Sequence, residues 1–90
     1  MQVSTRRFVF TKDSALYVKE VRSLITFVRS TSMRYRLFYV FQIRSRVRGL
    51  SSPVLTVWLE QGDMFAVGGI CFHVKSDTDG NPVLEFTQEN

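Results

Sequence analysis

Cysteine is nearly absent from this 90-residue sequence: Cys71 stands alone, so no disulfide can form within the chain. A lone thiol suits a reducing, cytoplasmic setting. Histidine is as scarce, and Cys71 with His73 falls short of the three or four ligands a zinc site needs. The two lie at i and i+2, about 7 Å apart along an extended strand, too far for direct proton transfer. Gly68–Gly69 lacks the lysine and the following helix of a phosphate loop. Asp77 and Asp79 sit in a loop too short for calcium, without the closing bidentate glutamate. Neither a cofactor nor an enzymatic reaction is therefore expected.

Long apolar runs are missing as well. Leu37–Phe41 is the longest, where a membrane span takes about 20 residues. Phe8–Phe10 behind Arg6 and Arg7 is too short a core for a signal peptide. The expectation is a soluble intracellular protein with no membrane partner. Repeats, linkers and low-complexity tracts are absent, and the length fits one domain, 1–90.

What is present is charge, unevenly placed. Residues 1–50 hold nine arginines and two lysines against Asp13 and Glu20, a balance of +9. Residues 51–90 hold Lys75 against six carboxylates, a balance of −5. Two outcomes follow from that asymmetry. Acidic strands can neutralise basic neighbours across a sheet, or a basic surface can be left for an anionic partner.

The chain is read as β-α-β-β-β-β. A first strand runs over Gln2–Phe10, with Phe8 and Phe10 on one face. The stretch "TKDSALYVKEVRSLITFVRSTS" then places Tyr17, Val18, Val21, Leu24, Ile25 and Val28 at i, i+3/i+4 spacing. That predicts a helix capped by Asp13 or Ser14 and ended by Ser30–Ser32, with Lys19, Arg22, Thr26 and Arg29 on its polar face. From Met33 to Val47 the period is two, predicting one strand of roughly 50 Å. A domain of this size is only about 30 Å across, so the strand must bend at a bulge or project as an arm. Strands are expected at 54–60, at 64–75 with a bend at Gly68–Gly69, and at Val83–Thr87. Gln61–Asp63 and Asp77–Pro82 are the turns between them. The expected class is α+β: one mainly antiparallel sheet of four to five strands with a single helix packed on one face.

On the open face of such a sheet would lie Arg34, Arg36, Phe38, Val40, Arg44, Arg46, Arg48 and Trp58, joined by His73 and Lys75. Clustered apolar and arginine side chains on adjacent strands mark a contact surface. With nucleic acid, the arginines would meet phosphates and Phe38 or Trp58 would stack bases. A projecting arginine-tipped ribbon entering a DNA groove is a variant of that idea. The alternative is a protein–protein module using the same face: a homodimer subunit, or a small inhibitor or adaptor meeting an acidic surface.

Overall fold

Segment 13–32 folds as strand, turn and strand, not as a helix. The computed structural model describes residues 3–46 and 53–89, with side chains through Thr87. Within them β1 spans Val3–Val9, β2 Ala15–Val18, β3 Ser23–Met33, β4 Arg36–Ser45 and β5 Val54–Leu59. They are followed by β6 (Met64–Val67), β7 (Ile70–Ser76) and β8 (Pro82–Glu89). The one helical element among the described residues is a single 3-10 turn, Lys19–Val21. The α+β expectation is overturned: eight strands form two antiparallel sheets, ordered β1-β8-β7-β6 and β2-β3-β4-β5.

The physical reason lies in a change of phase. Leu16 and Val18 alternate inward on β2, and Ser23, Ile25 and Phe27 alternate inward on β3. The turn between them shifts one alternation against the other, so the apolar residues fall at helix-like spacing. Arg22 closes that turn in the left-handed conformation, at φ 48°, where a glycine would have announced it. The density of β-branched residues (Val18, Val21, Ile25, Thr26, Val28 and Thr31) favours strands over helix.

The long strand predicted over 33–47 is broken too. The chain reverses at Arg34–Tyr35, leaving Met33 opposite Arg36 across the β3–β4 hairpin. This hairpin also carries a bulge: Phe27 faces Phe41 and Arg29 faces Val40, so Val28 is the extra residue. The molecule is 39 Å in its longest dimension.

Sequence neighbours pair along β2 to β5 and along β6 to β8, and β1 pairs with β8. The chain passes from the first sheet to the second at Thr11–Ser14, where the Ser14 hydroxyl accepts from the Thr11 N–H at 2.8 Å and donates to the Thr11 carbonyl at 2.9 Å. It returns at Glu60–Asp63, where the Glu60 N–H donates to Asp63 Oδ2 at 2.7 Å. Between the sheets, Phe10, Ile25, Phe41, Phe72, Val74 and Leu84 are wholly removed from solvent. Phe10 meets Phe41 edge-on across the interface, with ring centroids 5.3 Å apart. The buried Tyr39 hydroxyl reaches the Ser76 hydroxyl at 2.8 Å, tying the second sheet to the first. The Asp77 turn is held from within, its carboxylate accepting from the Asp79 and Asn81 N–H groups at 3.0 and 2.7 Å. Desolvation pushes the Asp77 pKa up, but these bonds and the charge of Arg7 bring it below the usual carboxylate value.

Gly68 shows how tightly the 3-10 turn is seated. It stands at φ +56°, and a Cβ built there would lie 2.5 Å from Val21 Cγ1. Gly68→Ala is expected to destabilise by about 2 kcal/mol, roughly a 10 °C drop in the thermal midpoint of a domain this size. An unchanged midpoint would show that Val21 does not pack there.

Candidate nucleic-acid interface

Alternation along β4 sends Tyr39, Phe41 and Ile43 into the core, and Arg36, Phe38, Val40, Gln42 and Arg44 to the opposite, outer face. The ladder sets Val40 between Arg29 on β3 and Trp58 on β5. These two neighbours close over it: the Arg29 guanidinium lies 5.9 Å from the Trp58 ring centroid, and Val40 is left 1% exposed. Phe38 stands beside Trp58 at 5.9 Å and carries the Arg36 guanidinium at 5.4 Å. At the other end of the face, Arg46 lies 5.8 Å from the Tyr17 ring. Three arginines are thus held against three aromatic rings, within the range of cation–π attraction.

The charges carried by the strands of this face are of one sign. No Asp or Glu occurs between Glu20 and Glu60, an interval holding seven arginines and all of β3, β4 and β5. Strand β2 has no acid either. Glu60, just beyond β5, pairs with Arg36 through both carboxylate oxygens, one of them accepting from Nε at 3.1 Å. That hydrogen bond, then the carboxylate charge, raises the Arg36 pKa above the ordinary guanidinium value. The other ion pair among the described residues, Arg7–Glu85 at 3.7 Å, lies on the first sheet. Among the described residues, ion pairing therefore occurs at two places and leaves Arg29, Arg34, Arg44 and Arg46 without a carboxylate partner.

The structure brings together most of the residues expected on one face. Arg36, Phe38, Arg44, Arg46 and Trp58 share it. Val40 also belongs to it but is buried, so it supports the face without reaching a partner. Arg34 sits at the tip of the β3–β4 hairpin instead, and Arg48 lies outside the described residues. His73 and Lys75 do not join the arginines: β7 belongs to the other sheet, where His73 lies opposite Glu85. Arg29 and Tyr17 were hidden by the helical reading of 13–32, which set them on a polar face and in an apolar stripe. Strand propensity was the signal that could have recovered them.

An apolar cleft of about 500 Å³ opens elsewhere, between β5 and β6, lined by Ile43, Leu55, Val57, Phe65 and Val67. Its one side-chain polar group among the described residues, Ser45, lies 3.3 Å from the Ser23 hydroxyl, leaving little to orient a substrate. No group of three or more His, Cys, Asp or Glu among the described residues could hold a metal ion. No helix there is long and apolar enough to cross a membrane. In comparison with known proteins, no family model, curated protein or solved structure matches the chain. Function has to be argued from these side chains and their charge.

Removing the Arg29 side chain should uncover both Val40 and the indole. Arg29→Ala is expected to move Trp58 emission to longer wavelength and to cost about 1 kcal/mol of stability through lost packing of the arginine stem. An unshifted spectrum would show that the guanidinium does not cover the ring.

Proposed function

We propose that the chain is a non-enzymatic nucleic-acid-binding module whose β2-β3-β4-β5 sheet presents arginines to the phosphate backbone. The observation that carries this reading is a four-stranded sheet with no acidic residue in any strand and with Arg29, Arg36 and Arg46 laid against aromatic rings. Such a surface pays a standing cost in self-repulsion, which an anionic partner relieves. The rings lower the entropy of ordering the guanidiniums and leave their N–H edges free for phosphate oxygens. With guanidiniums over Trp58 and Phe38, phosphate contact is favoured over base stacking on those two rings. The exposed free thiol of Cys71 fits a reducing intracellular compartment.

A protein partner is the second reading, favoured by the exposed Met33, Tyr35 and Leu37 near the hairpin tip. A second copy of the chain is a poor occupant of the arginine face, because a two-fold contact would set Arg29, Arg44 and Arg46 against themselves. An acidic protein surface is the better form of this alternative.

The test is salt-dependent binding of labelled oligonucleotides, followed by fluorescence anisotropy. Each lost phosphate contact removes about 0.7–0.9 from the log–log salt slope. Arg44→Glu with Arg46→Glu is therefore expected to lower affinity at least about tenfold at low salt and to flatten the slope by nearly two. Unchanged affinity in the double variant would sink the proposal.

A further inference from the structure

The chain makes the same tight hairpin turn twice, from opposite materials. Between β6 and β7 it uses Gly68–Gly69, at φ 56° and 87°, flanked by the pair Val67 and Ile70. Between β3 and β4 it uses Arg34–Tyr35, at φ 52° and 66°, flanked by Met33 and Arg36. Two-residue loops with both residues left-handed match the twist of the flanking strands, and Asn-Gly or Gly-Gly fills them without strain. Arginine and tyrosine carry a Cβ that this conformation crowds. No ion pair or ring contact among the described residues compensates them: Tyr35 is fully exposed, and Arg34 has neither. A strained, exposed tip made from two side chains rich in contact potential points to a ligand outside the molecule.

The tip also reaches past the neighbouring strands, although Arg36, in its last pair, is tied back to Glu60. Strand β2 makes its last pair at Ala15–Thr26, and β5 makes its last at Leu59–Tyr39. Beyond them the hairpin continues as a two-stranded ribbon through Thr31–Phe38, Ser32–Leu37 and Met33–Arg36. Three pairs extend about 10 Å. The major groove of B-form DNA is about 8.5 Å deep and about 12 Å wide, and admits a two-stranded ribbon. The corresponding groove of duplex RNA is too narrow for side chains to read. Single strands lie along a surface and have no use for a protruding arm. Thr31 and Ser32 keep one strand of this ribbon slender, with hydroxyls able to serve either bases or phosphates. Arg29 stands at its base, on the sheet face.

We infer that the β3–β4 hairpin is a reading arm that enters the major groove of duplex DNA, with Arg34 and Tyr35 at base edges and the sheet arginines on the flanking phosphates. The inference rests on the nucleic-acid reading above and names its ligand class and the element that reads it. Replacing the tip by the unstrained pair, Arg34→Asn with Tyr35→Gly, separates folding from recognition. The variant is expected to melt at a higher temperature than the parent. It should bind a mixed-sequence DNA duplex at least about tenfold more weakly, and a single strand of equal length within about threefold of the parent. Arg34→Gln, which leaves the turn's second residue in place, should lose duplex affinity in the same sense. A more stable variant with unchanged duplex affinity overturns the arm while leaving the nucleic-acid reading intact, as does a parent that prefers single strands. An equal loss on both ligands reduces the tip to a phosphate contact and also overturns it. A lower melting temperature removes the premise of strain. A parent that binds no nucleic acid overturns both readings and turns the search to acidic proteins.

Discussion

One extra residue, Val28, organises both faces of the second sheet. Without the bulge, the side chains of β3 beyond Phe27 would swap faces, because alternation has a period of two. With it, Phe27 joins Tyr39 and Phe41 in the core at ring distances of 6.1 and 5.7 Å, and Arg29, two residues on, stands outside over Trp58. Ordinary alternation would carry residue 29 inward along with residue 27. The bulge is what lets consecutive odd positions serve opposite sides. It also bends the hairpin where β3 leaves the cover of β2, so the ribbon beyond continues with β4 alone.

The arginine face is arranged so that it can exist without a partner. Four guanidiniums on or beside one acid-free sheet repel one another, and a small domain has little stability to spare. Three features reduce the cost. Rings at Trp58, Phe38 and Tyr17 accept guanidiniums, Glu60 neutralises Arg36, and the remaining charges stay in solvent. The sheet on the other side of the core is mixed in charge and pairs Arg7 with Glu85. The asymmetry of the sequence is kept in β3 and β4, while the basic β1 lies beside the acidic β8 in the other sheet.

Much of the candidate site was legible before the fold was known, because β4 and β5 obey strict alternation. That alone puts Arg36, Phe38, Val40 and Arg44 on one face of β4 and Trp58 on one face of β5; the register that sets Trp58 across from Val40 came with the fold. The turns at Gln61–Asp63 and Asp77–Pro82 were legible for the same local reason, being built from glycine, aspartate, asparagine and proline. Gly68–Gly69, by contrast, reads as a bend inside one strand over 64–75 and is a reversal between β6 and β7. Two unread turns lack such residues, closed by Arg22 and by Arg34–Tyr35 at positive φ; the Thr11–Ser14 turn has them, but its Asp13 and Ser14 also read as helix caps. Missing the first turned two strands into a helix, and missing the second fused the end of one strand to the next. A straight strand over 33–47 is too long for the domain, but length alone does not locate the break at Arg34–Tyr35. Placing His73 and Lys75 required knowing that there are two sheets, which no local pattern reveals.

The central claim is that this sheet face is a phosphate-binding surface, and Trp58, the single tryptophan, reports on it from within. The most direct measurement is a titration of Trp58 fluorescence with duplex DNA at low and at moderate salt. A saturable change whose affinity falls steeply with added salt is the predicted result. An emission spectrum indifferent to DNA at every salt concentration would contradict it.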